Sequence, residues 1–342
     1  FISCKISIII RKFAPYMNKK ATKVLKYLLS VGLAAVLVWF AFRGVDWKAF
    51  LEGLKETRWG YVLVFTLVSV LALFFREERW RLMMEPLDPD VKRLDAWDAS
   101  NVGNLVNVVL PGAGEFIRGG YIKSNKMSYN KILGTIVCER AWDVLAVLFM
   151  LVLALVLKWN TFGEFFLTNI WNPLTHSFGF SMWWILAPIL VALAVFVWGV
   201  FHWQERYPFC ARVAGAVRGL GAGIASFAHI RRKWAFVLYT IGIWVTYLLM
   251  TYYNFLAIPA LAHLTFFDSL FVSAVGNIAS VIPVPGGIGA YHYLVALTLE
   301  SIHGATWETS LLFATLSHET HALLIILLGV ASYVRLSVRK RK

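Results

Sequence analysis

The chain has 342 residues, 59% of them hydrophobic and only 15% charged, with a mean hydropathy of +0.66 and a formal net charge of +14. This composition excludes a soluble globular domain of this size and reads as an integral membrane protein. The basic balance is not a nucleic-acid signature until the Lys and Arg residues are placed along the chain.

Residues 1–23 form a basic N-terminal segment. Met17-Asn-Lys-Lys20 reads as an ordinary basic start ahead of the first span, so residues 1–16 are expected to be an upstream extension. The short apolar run Ile6–Ile10 is followed by no small-residue cleavage site and is not expected to act as a signal peptide. Apolar runs long enough to cross about 30 Å of hydrocarbon predict complete spans at 24–42, 59–75, 132–157, 182–201, 234–256 and 309–334. Region 43–58, with Asp46, Trp47, Glu52 and Glu56, predicts a short outer helix. Arg76-Glu-Glu-Arg79-Trp80-Arg81 reads as a solvated, lipid-facing anchor at the interface. Region 159–181 is rich in Trp and Phe and is expected at the outer interface. In the linker 204–233, Val213, Ala216, Val217, Leu220, Ile224 and Phe227 recur at helical spacing, which predicts an amphipathic interfacial helix.

Two further segments, about 95–117 and 267–298, are interrupted by Gly and Pro and nearly repeat each other. One contains Val102-Gly-Asn-Leu-Val-Asn-Val-Val-Leu-Pro111-Gly-Ala-Gly; the other contains Val275-Gly-Asn-Ile-Ala-Ser-Val-Ile-Pro-Val-Pro285-Gly-Gly-Ile-Gly289. Broken backbone at membrane depth survives only where protein or a water-filled cavity covers it. Paired broken segments in the two halves of a chain are a sequence pointer to a transport site. Of 33 Lys and Arg residues, 27 fall at the N-terminus, in 76–94, 118–131 and 202–233, and in the tail from Arg335; five fall in the other loops, and Arg140 lies within a span. The positive-inside rule then puts both termini in the cytoplasm of an inner-membrane protein. The first broken segment enters from the cytoplasmic side and the second from outside, with three spans between them. The predicted fold class is an all-α polytopic membrane protein: six full transmembrane helices plus two re-entrant hairpins in an inverted repeat. Its domain covers 24–335, with repeat halves at about 59–201 and 234–334 and a basic tail at 336–342. Cys4, Cys138 and Cys210 are scattered and predict neither a metal site nor a disulfide.

The strongest polar cluster follows the first Gly-rich turn. Gly112 and Gly114 precede Glu115 and Arg118, which stand three residues apart and close enough on a helix to interact. The next span carries Glu139, Arg140 and Asp143. Charge inside a membrane is costly and faces a partner or a cavity. These five residues predict a pocket in which Arg holds a phosphate while the carboxylates orient Arg or bind an amino head group. The alternative is an ion-pair network that only fastens helices together. The second turn presents Pro285, Gly286, Gly287 and Gly289 ahead of Tyr291 and His292. A helix starting there offers free N–H groups to an anion, or else the glycines serve close packing. Asn104 and Asn277 are expected to cap or cross-link the broken helices. His318, Glu319 and His321 fall one residue short of a zinc-protease motif, and no third ligand is apparent, so a buried polar or proton-handling role for His292, His318 and Glu319 is favoured over a metal.

The ordered motifs Pro111–Arg118, Glu139–Asp143 and Pro283–Gly289 resemble the lysylphosphatidylglycerol synthase transmembrane family, whose best-known members carry the flippase half of MprF-type proteins. The resemblance runs from about residue 24 to 335. It implies a membrane protein that moves a lipid between leaflets, with Glu115, Arg118, Glu139, Arg140 and Asp143 at matching positions. Synthase activity is not carried over, since a separate cytoplasmic domain performs it in the MprF type. The expected substrate is a phospholipid or related anionic or zwitterionic lipid. The alternatives are a lipid-modifying enzyme or a non-transporting scaffold for a separate synthase. No cofactor and no nucleic-acid partner is expected. Anionic head groups at the cytoplasmic face, a membrane synthase partner or a second copy of the chain are the expected contacts.

Overall fold

In a computed structural model, the described residues are 19–122, 126–157, 159, 191, 195–196, 198–208, 210–211, 213–215, 227–279, 282 and 284–339; they form helices and turns, with no strand among them. The principal helices are α1 (Lys19–Phe42), α2 (Trp47–Glu56), α3 (Trp59–Met84), α4 (Arg93–Val109), α5 (Ala113–Ile122), α6 (Tyr129–Leu157), α7 (Lys233–Ala257), α8 (Ser269–Ala279), α9 (Ala290–His303) and α10 (Trp307–Arg339).

Local chemistry sets these boundaries. The Asp46 carboxylate caps α2 by accepting from the N–H groups of Lys48 and Ala49 at 2.9 and 3.2 Å. Pro111 has no N–H with which to prolong α4, and Gly112 takes a left-handed φ of +77° that turns the chain into α5. Thr265 and Asp268 cap each other ahead of α8. Pro285 and the following glycines separate α8 from α9.

Polar contacts define the two ends of the bundle. At one end Glu85 pairs with Arg232 at 2.6 Å, Asp95 with Arg339 at 2.9 Å, Asp98 with Arg335 at 3.3 Å, and Asp90 with Lys126. At the other end the Arg58 N–H donates to the Ala257 carbonyl at 2.8 Å, and the Trp307 indole donates to the Ala41 carbonyl at 2.9 Å. Helices α3 and α10 therefore run antiparallel to α1 and α7. The α4–α5 hairpin leaves the first end and returns to it. The α8–α9 hairpin follows α7 at the second end and feeds α10 from that same end.

The packing is reciprocal. Helix α3 lies along α7, α4 packs on α10, and α8 packs on α6. Between helices in lipid there is no apolar driving force, so small residues that let backbones approach carry much of the association. A Cβ added at Gly114 would lie 2.0 Å from the Gly103 carbonyl oxygen, so the arms of the first hairpin touch through backbone. Gly276 receives the Tyr291 ring, Gly242 receives Phe75, and Gly329 receives Leu105 and the Asn101 carbonyl. The two turns meet at mid-bundle, where a Cβ on Gly286 would stand 3.4 Å from the Val108 carbonyl oxygen.

Helices α3, α7 and α10 are long and apolar enough to cross a membrane; α1 from Tyr27 together with α2 satisfies the same test as a pair bent by 85°. Helix α6 is 29 residues long, with Glu139, Arg140 and Asp143 in its first half. The expected spans 24–42, 59–75, 132–157, 234–256 and 309–334 fall on described helices, two of them with wider limits: 59–75 extends to Met84, and 309–334 becomes Trp307–Arg339. The expected span 182–201, the aromatic region 159–181 and the amphipathic face of 204–233 fall largely or wholly outside the described residues. The short helix expected in 43–58 is present as α2. The anchor reading of Arg76–Arg81 is overturned. Glu77, Glu78, Arg79, Trp80 and Arg81 are buried, because α3 carries them inward against the following helices instead of ending at the interface. The basic bias along the chain persists without these residues.

Candidate functional site

The first site gathers where α3, α5 and α6 converge beside the turn of the first hairpin. Glu139, fully buried on α6, is held from two sides: Arg76 Nε on α3 donates at 3.3 Å, and Arg118 on α5 pairs with its second oxygen. Arg79, also fully buried, pairs with Asp143 one turn along α6. Arg140 pairs with Glu115 and approaches Asp143 at 3.7 Å. The Arg118 guanidinium stacks 4.5 Å from the centre of the buried Trp80 ring, whose indole donates to Thr135 Oγ1 at 3.0 Å. Asn107 completes the turn: its Nδ2 donates to Glu115 Oε2 and its Oδ1 accepts from the Gly114 N–H, both at 2.8 Å.

Exposure grades this cluster from mouth to base. The Arg140 side chain is 46% exposed and Asp143 24%, whereas Arg118 is 5% and Arg79 and Glu139 are 0%. At the base, Nε and Nη1 of Arg79 and Nε of Arg118 have no hydrogen-bond partner among the described residues. Each unpaired buried donor costs about 1–3 kcal/mol. An anionic oxygen satisfies such donors well, since guanidinium binds phosphate in a bidentate, charge-assisted manner.

The five sequence-predicted residues thus come together, with one change of partners. Glu115 and Arg118 do not pair with each other; each pairs across to α6, because the short α5 lies against that helix. Arg76, Arg79 and Trp80 belong to the site and were assigned elsewhere. Their signal was present: Arg76 and Arg79 are three residues apart, at a spacing that places both on one helical face. Asn107, not Asn104, cross-links the first turn. Asn277 Nδ2 donates within its own helix, to the Ser273 carbonyl at 2.8 Å. Gly112 stands in open space, with nothing within 4 Å of a would-be Cβ.

The second turn holds a different set. His318 on α10 places Nε2 2.8 Å from the Gly286 carbonyl oxygen and Nδ1 2.9 Å from Glu319 Oε1. His292 on α9, 3% exposed, brings Nε2 to 3.6 Å from the same Glu319 oxygen. A Cβ on Gly289 would lie 2.7 Å from the Val38 nitrogen and 2.9 Å from the Ala34 carbonyl oxygen, so α1 fills that position and close packing is the reason for the glycine.

The fold and the first site together define an all-α, multi-pass membrane protein with a charged centre beside broken helices. The chain belongs to the family described as lysylphosphatidylglycerol synthase TM region, which it matches over residues 27–329. It is similar to the UPF0104 membrane protein PH1989 of Pyrococcus horikoshii, with 23% identity over 299 residues that cover 78% of this chain and 83% of that protein. No solved structure matches it.

Proposed function

We propose that this protein moves a phospholipid or related lipid with an anionic or zwitterionic head group across the cytoplasmic membrane. The observation that carries the reading is the buried guanidinium pair Arg79 and Arg118, with unpaired N–H groups, behind the half-exposed Arg140 and its partner Glu115. In this reading the two hairpins are re-entrant and enter from opposite sides, six helices span the membrane, and both termini are cytoplasmic. The repeat halves are 59–201 and 234–334. The reciprocal packing of α4 on α10 and α8 on α6 supports the inverted relation, and the end that joins Glu85, Arg232 and Arg339 is the one rich in Lys and Arg. The head group enters past Arg140, its phosphate binds Arg79 and Arg118, and the acyl chains stay in lipid. Rocking of one repeat against the other, about the contact of Gly286 with Val108, exposes the site alternately. The family's lipid-linked name supports the substrate class. The protein acts without a catalytic step of its own.

Purified protein in liposomes containing a head-group-labelled phospholipid tests this directly. The parent protein is expected to speed loss of label to a membrane-impermeant quencher. R79Q is expected to slow it at least tenfold while eluting as folded protein. A new lipid product without movement would establish the lipid-modifying enzyme instead. Neither movement nor product, with cellular function retained in R79Q, would establish a scaffold for a separate synthase.

A further inference from the structure

The His292, His318 and Glu319 cluster carries an inference independent of lipid movement. One ligand-capable atom from each of the three residues lies within 4.8 Å of the others. Two of the separations are 2.9 and 3.6 Å. A tetrahedral ion bound at the usual Zn–N and Zn–O distances spaces its ligands roughly 3.4 Å apart, between those two values.

Hydrogen bonding selects the state of His318. A carbonyl oxygen only accepts, so the contact of Nε2 with the Gly286 carbonyl puts the proton on Nε2. In the neutral ring, Nδ1 then presents a lone pair to a carboxylate oxygen 2.9 Å away. Two lone pairs in that position repel unless a cation lies between them. The bond from the distal ring nitrogen to a backbone carbonyl is also the outer-shell contact that commonly orients a metal-binding imidazole. His292 adds a second imidazole, 97% removed from solvent, aimed at the same oxygen, with its Nδ1 unpartnered among the described residues. Glu319, at 55% exposure, is the open side of the set.

We infer that His292, His318 and Glu319 form a binding site for a divalent transition metal of the Zn(II) class, which ties α9 to α10 directly above the Gly286 turn. Two imidazoles and one carboxylate suit that class of ion. Three protein ligands leave a fourth position for water or an anionic oxygen. The ion would join the tip of the second hairpin to the helix that packs against the first, so it would stiffen the contact between the two turns. His321, the residue that makes the sequence look like a failed protease motif, is not part of the set.

The test uses full-length protein without a polyhistidine tag, purified in detergent, stripped with chelator and titrated with Zn(II). Bound metal is measured by elemental analysis, and Co(II) is substituted for its visible spectrum. The expected result is about one ion per chain and a Co(II) spectrum of four-coordinate intensity. Removing one ligand, in E319Q or H292N, is expected to weaken binding by about 100-fold or more, whereas H321A binds as the parent does. Glu319 is half-exposed, so E319Q keeps the variant set informative even if H292N fails to fold. Sub-stoichiometric binding by the parent, or E319Q binding as tightly as the parent, would overturn the assignment and leave a protonated His318 as the cation between the two lone pairs.

Discussion

Seven residues beyond the proline that opens each Gly-rich turn, Pro111 and Pro285, stand Arg118 in one hairpin and His292 in the other. The backbone plan is shared: a short helix, a Pro-Gly turn at mid-bundle and a second short helix back to the starting end. The surroundings differ. At the first turn Gly112 faces open space, and the charged residues grade from a half-exposed mouth to a buried base. At the second turn α1 fills the position beside Gly289, and His318 holds the Gly286 carbonyl. A broken helix supplies a sheltered polar position, and the side chains around it decide what that position is for. Guanidinium groups with spare donors suit an anion; imidazoles and a carboxylate suit a cation. In the proposed reading the first turn admits a head group and the second holds an ion.

The largest expected effect comes from closing the first hairpin by force. G114L would drive a side chain into the Gly103 carbonyl oxygen, a backbone atom 2.0 Å from the would-be Cβ, and into the Asn107 side chain that holds the turn. It is expected to abolish recovery of monodisperse protein on size exclusion. G112L, two residues away in open space, is expected to remain foldable; equal damage from both would erase the contrast.

Next comes the buried ion pair. E139Q leaves Arg118 charged and without its carboxylate, at a cost of about 3–5 kcal/mol in detergent unfolding, whereas R118Q leaves Glu139 paired with Arg76 and costs less. The double variant is expected to recover much of that stability while lipid movement stays lost. Recovery of both would reduce the cluster to a fastening between helices.

A smaller effect separates the two turns by strain alone. G112A pays only for a left-handed backbone, about 1–2 kcal/mol. G289A adds a collision with α1 and is expected to lower the midpoint of thermal unfolding further. Equal midpoints would show that α1 does not clamp the second turn.

The smallest effect lies outside the membrane. The hydrogen bond from Arg232 holds the Glu85 carboxyl below its usual range. A depressed carboxyl contributes stability that is fully present above its unfolded value, near about pH 4.3, and is lost as pH falls through the lower folded value. Parent protein is therefore expected to lose more thermal stability than R232Q on acidification below that point. Parallel acid profiles would remove this contact from the account of the shared end.

The chain's sequence determined the helical class, the membrane setting, the paired broken segments and five members of the charged cluster. These follow from quantities that are local in sequence: apolar run length, helix-breaking residues and charge inside a span. Tertiary structure alone decided the pairing. Glu115 and Arg118 look like partners because they are three residues apart, yet α5 lies against α6, which offers Arg140 to Glu115 and Glu139 to Arg118. Arg76 and Arg79 look like an interfacial anchor because arginine is usually solvated there, and only the course of α3 shows them turned inward. His292 cannot be joined to His318 from sequence, because 26 positions and a change of helix lie between them. Hydropathy and spacing report what each segment tolerates, and packing between segments settles which charges meet.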